Sequence, residues 1–373
     1  WKHAEESCEK LIMASGVVAE KTGRAMARYN RISERAAAIA EIWRRATGRP
    51  GGRLAEILPR AADLPVADPV DCMVVIPARN EQENIGRAVR SLPPDTVIVV
   101  DDFSQDDTAE EARKAGAGVL PAPKLQEGGL GKANACVAGA KILTSRWILF
   151  ADADTRFEPG FLEAAVSAAE SSKLDFLSFY LNPEYGTLYE SALSPFAVML
   201  YFCGVDPGSD PVGAFNGQCV LVRRDPYEFV GGHRVLLTAL CDDVKMAELA
   251  QRHRLKFAVV RAPHLGHVRI RPRDFERNAF RFALGGLGKG LRVMLAAVVW
   301  AGWLPALLWL LAGHHWAAAA AFLLVPSALL APWSGWARAM LTPFGIYMLL
   351  PSLFRGALRA LMNRPVKWKG RVI

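Results

Sequence analysis

LFADADT, residues 149–155, is an apolar strand that stops at two aspartates, Asp152 and Asp154, with one alanine between them. Like charges at the end of a buried strand repel each other unless water or a cation separates them. The pair therefore either solvates a strand end or faces something positive. The neighbouring segments decide the fold. CMVVIP (72–77), TVIVVD (96–101), RWILFAD (146–152) and DFLSFY (175–180) are continuous apolar runs. Between them NEQENIGRAVRSL (80–92), DDTAEEARKAG (106–116), GKANACVAGAKIL (131–143) and EPGFLEAAVSAAE (158–170) read as helices, the first with Asn80 as its N-cap. Unbroken apolar strands alternating with helices predict an α/β fold: a mostly parallel sheet with helices on both faces. Such sheets bind ligands outside the carboxyl ends of their strands. The polar clusters PARNE (77–81), DDFS (101–104) and DADT (152–155) sit at those ends.

Charge places the other end of the chain. From residue 291 onward there are 8 Lys or Arg and no Asp or Glu, which leaves 37 basic and 37 acidic residues before it. The whole excess of +8 thus lies in the part with the longest apolar runs. That pattern points to a membrane surface rather than nucleic acid. Residues 293–313 and 316–333 are apolar runs of 21 and 18, near the roughly 20 residues that a span needs. Seven of the ten tryptophans lie beyond residue 290, and Trp316, Trp333 and Trp336 flank the runs as an interfacial belt would. The run 339–354 is shorter and holds Pro343, Gly345 and Pro351. Two transmembrane helices and a third, re-entrant or interfacial segment are predicted. The basic tail then lies on the cytoplasmic side with the α/β domain. Buried core helices are the plainer reading of either run taken alone.

The expected organisation is an N-terminal helical region (1–65), an α/β domain (66–274), an amphipathic interface helix (275–291), a membrane region (292–354) and a basic cytoplasmic tail (355–373). Within the first region, 24–46 puts Met26, Tyr29, Ile32, Ala36, Ile39 and Trp43 on one helix face. That face suits packing, or alternatively a membrane surface. The six cysteines, Cys8, Cys72, Cys136, Cys203, Cys219 and Cys241, form no C-x-x-C pair, as expected for reduced thiols rather than a disulfide framework or structural zinc. LIMASGVVA (11–19) is too short and too acidic at its flanks for a secretory signal. The chain opens on Trp1, and the reading leaves an upstream membrane segment open.

Motifs narrow the chemistry. No G-x-G-x-x-G follows the first strand, where PARNEQE stands, and no G-x-x-x-x-G-K-[ST] occurs, which argues against a dinucleotide oxidoreductase and a P-loop NTPase. Two carboxylates one residue apart suit Mg²⁺ or Mn²⁺ shared with a substrate diphosphate. A metal so held is free to neutralise a departing diphosphate. Five clusters occur in order: VVIPARNE (74–81), VVDDFSQDDT (99–108), GLGKANA (129–135), ADADT (151–155) and CDDVKMA (241–247). Together they resemble the family 2 glycosyltransferases, over roughly residues 70–290. LGKANAC (130–136), AFNGQCVLVRRDPYEFVGGH (214–233) and VKWKGR (366–371) further resemble the membrane-bound members associated with carotenoid and hopanoid pathways.

The resemblance implies the GT-A (nucleotide-diphospho-sugar transferase) fold and a metal-assisted, inverting transfer. The sugar would move from a nucleotide-diphosphate sugar, a UDP-sugar by preference, to a lipid or isoprenoid-type acceptor in the bilayer. It implies that Pro77, Arg79 and Glu81 line the nucleotide pocket, and that Asp101 or Asp102 bonds a uracil-type base. Lys132 reaches a phosphate or base edge, unless it is a solvated helix-start lysine. Asp152 lies near the ribose or sugar, and Asp154 is the metal ligand. Asp242 and Asp243 match the family's acidic pair. Asp243 is the general base that takes the acceptor proton, although two aspartates also suit any helix N-terminus. Arg281, in RNAFRF (277–282), only partly matches the family's Q-x-x-R-W, which argues against a processive polymer synthase; it is a candidate for diphosphate or acceptor. His264 and His267 are structural, or His267 touches metal, diphosphate or acceptor. The competing functions are a polyprenyl-phosphate glycosyltransferase that makes a lipid-linked donor, and a non-catalytic membrane-anchored binding protein that kept the fold. The presence of Asp102, Asp152, Asp154 and Asp243 weighs against the second.

Overall fold

Strand β1 (Cys72–Ala78) shows why the sheet lies where it does: Val74, Val75 and Ile76 are each 0% exposed, so both of its faces are covered. The structure, a computed structural model, describes residues 70–192, 215–239, 241–269 and 301–341, with 344, 345, 347, 350, 351, 362, 367, 368, 371 and 372. β1 pairs in parallel with β2 (Val97–Asp101), which pairs in parallel with β3 (Gly118–Pro121). On its other side β1 pairs in parallel with β4 (Trp147–Ala151). β5 (Thr155–Phe157), β6 (Phe176–Glu184), β7 (Cys219–Arg223) and β8 (Phe257–Arg269) complete one sheet of order β3-β2-β1-β4-β7-β6-β8-β5.

That order corrects the expectation of a mostly parallel sheet. β7 runs antiparallel to β4 and to β6, and β5 antiparallel to β8, so the sheet is mixed. The helix-linked apolar strands from 72 to 151 are parallel, as their spacing predicts. Antiparallel neighbours need no helical crossover, and alternation with helices gave no sign of them. The mixed α/β arrangement fits the GT-A class expected above. β4 and β7 meet head to tail, Ala151 opposite Cys219. The end of β4 and the start of β7 therefore share one sheet edge.

The helices are α1 (Ile85–Arg90), α2 (Thr108–Lys114), α3 (Gly131–Ile142), α4 (Phe161–Ser171), α5 (Arg224–Phe229) and α6 (Asp242–Arg252), with a 3-10 turn at Gly232–Leu236 between the last two. α1 begins later than predicted, with Asn84 rather than Asn80 at its N-cap. Asn80 instead has φ 52°, and its side chain accepts the backbone N–H of Gln105 at 2.9 Å. The cross-loop bond outcompetes a cap. α3 reaches β1 closely because its inner face is small: Ala133, Ala135, Cys136, Ala138, Gly139 and Ala140 are buried. A Cβ on Gly139 would lie 2.5 Å from Val75 Cγ1. The outer half of the core is aromatic. Phe161 packs on Phe157 (centroids 4.3 Å) and Phe179 (5.2 Å), and Phe215 on Phe176 (5.8 Å) and Phe257 (5.3 Å). Cys72, Cys136 and Cys219 are buried free thiols, and burial pushes the Cys72 thiol up to about 12.

Contacts divide the chain into two units, Trp1–Asn182 with Pro207–Arg269, and Pro183–Asp206 with Ile270–Ile373. The sheet builds the first. In the second, α7 (Trp303–Ala312), α8 (Trp316–Ser334) and α9 (Trp336–Ala339) follow one another. Trp303 Nε1 donates to Phe322 O (3.1 Å), and Ser327 Oγ bridges to Leu323 O (2.8 Å) and Ala339 O (3.2 Å). Leu308, Trp309 and Trp316 are exposed. Among the described residues no helix is long and apolar enough to cross a membrane. The run 316–333 is helical as α8, and 293–313 is described only from 301. Lys367–Trp368 pairs antiparallel with Arg371–Val372, a short β-ribbon not foreseen in the tail. The expected helical region 1–65 and interface helix 275–291 lie outside the described residues.

Overpacking a close contact costs about 1–3 kcal/mol. Gly139→Ala is expected to lower stability by that much in denaturant unfolding, whereas an unchanged midpoint would contradict the close approach of α3 to β1.

Candidate active site

Asp152 is the first residue past β4, and its backbone N–H donates to Gln218 O at 2.9 Å across the β4–β7 edge. Its carbonyl accepts Thr155 N (3.2 Å) and Thr155 Oγ1 (2.7 Å), which bends the D-A-D-T segment into a closed turn. The Asp152 carboxylate meets a cation of the chain itself: Lys132 Nζ lies 2.6 Å from Oδ1. The same ammonium donates to Gly217 O at 2.8 Å. Lys132 is the second residue of α3, and that helix start is held by the Leu130 N–H on Leu237 O (2.7 Å). Burial opposes the charge on Lys132, but Asp152 and then Asp242 outweigh it and hold the ammonium above the usual lysine range. The two side chains are 33% and 30% exposed, so solvent screens the pair, and it fixes geometry more than it stabilises the fold.

Gly217 carries the arrangement on to α6. Its N–H donates to Asp243 Oδ2 at 3.1 Å, while Asp243 Oδ1 accepts Val244 N at 2.8 Å. A Cβ on Gly217 would stand 2.9 Å from that Oδ2, so glycine is what lets the carboxylate come this close. Asp242 is buried at the head of the same helix. Pro77, Lys132, Asp152, His233, Asp242 and Asp243 line one cavity, with Cys136, Phe150 and Met246 as its apolar wall. Acids at a helix N-terminus answer the macrodipole. Here they do that and also line a cavity that holds a lysine.

The predicted nucleotide residues gather at the ends of β1 and β2. Arg79 Nη1 donates to Asp102 O and to Phe103 O (3.1 Å), so its guanidinium ties the two loops. Glu81 N donates to Thr108 Oγ1 (2.7 Å), and Glu81 Oε2 accepts Asn84 Nδ2 (2.8 Å). Asp102 is buried, its N–H on Ala78 O at 2.8 Å. Asp101 Oδ2 accepts Ser104 N at 3.3 Å, while its Oδ1 is buried with no hydrogen-bond partner.

Asp154 lies past the Asp152–Thr155 turn, its carbonyl accepting Arg269 N at 2.9 Å, and outside the cavity lining. Among the described residues no three His, Cys, Asp or Glu side chains form a ready metal cage. The oxygen-only set of Asp152 and Asp154 still fits a hard cation, because Mg²⁺ takes one or two carboxylates and fills its shell with phosphate oxygens and water. His267 lies on β8. The β5–β8 register sets it opposite Arg156, its Nε2 is 3.2 Å from Glu158 Oε1 and its Nδ1 3.3 Å from Asn182 Nδ2. Arg281 lies outside the described residues. Sequence reasoning missed Gly217, Tyr227 and His233. Their trace in the sequence is the run 214–233 quoted above and the glycine pair within it, where Gly231 and Gly232 take φ of 87° and 52°.

Two outcomes follow for this site. Gly217→Ala displaces the Asp243 carboxylate; on the reading of Asp243 as the base, a fall of about 10–100-fold in kcat with an unchanged fold is expected, because misplacing a reacting group by about 1 Å costs roughly 10²-fold in rate. His233 is neutral, because burial lowers its pKa from 6.5 to about 4. Between those values the unfolded chain binds a proton that the folded chain refuses. Stability is therefore full above pH 6.5 and falls as the pH drops toward 4. In unfolding measured across that window, His233→Gln is expected to flatten the decline by about 3 kcal/mol.

Residues 73–229 match the family model described as glycosyl transferase family 2. A 4,4'-diaponeurosporenoate glycosyltransferase of Staphylococcus aureus (strain USA300) is 30% identical over 173 residues, 43% of this chain and 46% of that protein. The protein of the same name from strain Newman matches to the same extent. The chain thus spans about half the length of the curated relatives it matches. Among solved structures, glucosyl-3-phosphoglycerate synthase from Mycobacterium tuberculosis in complex with phosphoglyceric acid overlaps with TM-score 0.41 at 18% identity, over 60% of this chain and 78% of that one. Its complex with Mn²⁺, UDP-glucose and phosphoglyceric acid gives TM-score 0.40 at 18% identity with the same coverage. That overlap is too loose to transfer ligands or chemistry. Residues 73–229 thus carry a likeness to glycosyl transferase family 2, and the chain resembles the carotenoid-associated members of that family.

Proposed function

We propose that this chain is an inverting glycosyltransferase that moves a sugar from a nucleotide-diphosphate sugar, a UDP-sugar first, to an isoprenoid-type acceptor dissolved in the membrane. One observation carries the reading: Asp152, Lys132, Gly217 and Asp243 form a single chain of contacts at one sheet edge. A carboxylate, an ammonium and a second carboxylate are thereby held around one cavity, which is what a transfer to an acceptor hydroxyl requires. The hydroxyl proton passes to the Asp243 carboxylate as the acceptor oxygen attacks the anomeric carbon. The carbon–oxygen bond to the diphosphate breaks on the opposite face, the diphosphate leaves with the electron pair, and the configuration inverts. Lys132 would offer its ammonium to that departing charge. Asp154, with Asp152 beside it, would hold Mg²⁺ or Mn²⁺, which when bound neutralises the diphosphate. Asp101 Oδ1, an acceptor with no donor, matches the imide N–H of a uracil.

The acceptor reading rests on sequence and on the relatives. The apolar runs 293–313 and 316–333, the tryptophans around them and the basic tail suit a bilayer with the site on its cytoplasmic side. A polyisoprenoid acceptor is reachable only there. The curated relatives are named for a carotenoid acid. An acid arrives already ionised, and for it Asp243 would orient the acceptor rather than deprotonate it.

Transfer of labelled sugar from a UDP-hexose into an organic-extractable product, in the presence of membranes, tests the proposal. Native protein is expected to label that fraction with inverted anomeric configuration. Asp243→Asn is expected to bind donor normally and to lose about 10²–10⁴-fold in transfer. Transfer by Asp243→Asn at the native rate would remove Asp243 as the base and favour the ionised acceptor, and no labelled product from any nucleotide sugar would sink the transferase reading.

A further inference from the structure

His233 is buried in the wall of the cavity, and nothing in the transfer step above uses it. Its surroundings are built rather than incidental. Tyr227 Oη accepts the His233 backbone N–H at 3.1 Å and lies 2.9 Å from His233 Nδ1. Burial holds the phenol well above its ordinary range, so it keeps its proton. One lone pair of that oxygen is already taken by the backbone N–H, and the phenolic proton goes to Nδ1. Nδ1 is then an acceptor, and a neutral ring must carry its proton on Nε2, on the side away from Tyr227. Phe150 fixes the ring plane edge-on, with centroids 4.6 Å apart at 63°. The glycine pair permits the closure: a Cβ on Gly232 would stand 2.5 Å from the Tyr227 ring.

The groups facing this ring come from three helices. α6 presents Asp242, α3 presents Lys132 and Cys136, and α5 presents Tyr227; Asp152 shares the cavity, and Arg234 on the same turn is exposed. Asp242 draws a proton toward the ring and Lys132 repels one, but burial outweighs both and keeps the imidazole neutral. A neutral, orientation-locked ring in the cavity wall offers one N–H donor and adds no charge to the acids around it. We infer that Tyr227 locks His233 in the Nε2–H tautomer, so that the wall of this cavity presents a neutral ring N–H rather than a ring acceptor or a cation. The catalytic consequence rests on the transferase reading; the tautomer does not.

Long-range ¹H–¹⁵N correlation of the histidine rings in the full-length protein, with His233 assigned by its loss in His233→Gln, reads the tautomer directly. A neutral Nε2–H ring that stays unchanged from pH 8 to about 5 is expected. An Nδ1–H ring, or a titration near 6.5, would overturn the inference. Transfer kinetics then separate positioning from plain packing. Tyr227→Phe removes the hydrogen bond that favours the neutral ring, so the acid limb of kcat should move upward by on the order of one pH unit. His233→Gln, which restores a neutral N–H, should keep kcat within about five-fold, while His233→Phe loses about 10–100-fold with donor KM unchanged. An unmoved acid limb, or equal losses in Gln and Phe, would reduce His233 to packing. The spectrum is independent of turnover, so a failed transferase reading and a failed tautomer give different results.

Discussion

Lys132 holds two things at once, the Asp152 carboxylate at 2.6 Å and the Gly217 carbonyl at 2.8 Å. Everything else at the site is arranged around that ammonium. Without it, Asp152 and the α6 acids Asp242 and Asp243 would face one another across one cavity with nothing to offset their repulsion. With it, the end of β4, the start of α3 and the loop before β7 are tied to one atom. The pair is partly solvated, so its value lies in placement more than in stability.

The sheet makes that placement possible. β4 ends and β7 begins at the same edge because the two strands are antiparallel, Ala151 against Cys219. Gly217 is thereby delivered beside Asp152, and its bare Cα lets the Asp243 carboxylate reach the backbone N–H. The same hairpin-like return carries the chain through α5 to the glycine pair, where it turns His233 inward against Tyr227. One reversal of strand direction thus brings together residues from four separate stretches of sequence.

This explains which parts could be read in advance. The parallel half of the sheet was legible because its strands are apolar on both faces and its helices punctuate them. Asp101, Asp102 and Asp152 could be placed because polar clusters at parallel strand ends have few other places to be. Lys132 was legible from the glycines before it, although its partner Gly217 was not. Contacts that cross the antiparallel half were hidden: nothing local marks Gly217 as the seat of Asp243, and nothing marks the inward turn of His233 except two glycines. His267 was read as structural or as a contact of metal, diphosphate or acceptor; the register that sets it opposite Arg156 joins residues more than a hundred positions apart, and its ring lies against Glu158. Asn80 looked like a helix cap because its competitor, the Gln105 N–H, comes from another strand's loop.

The central claim is that the carboxylates closing LFADADT serve a nucleotide diphosphate rather than a strand end. Calorimetric titration of UDP into the native protein and into Asp154→Ala, each with and without Mn²⁺, tests it most directly. The account expects tight binding only when Mn²⁺ and Asp154 are both present. Binding that ignores both, or none from UDP, GDP or TDP under any condition, would contradict it and leave Asp152 and Asp154 as a solvated strand end beside a lysine.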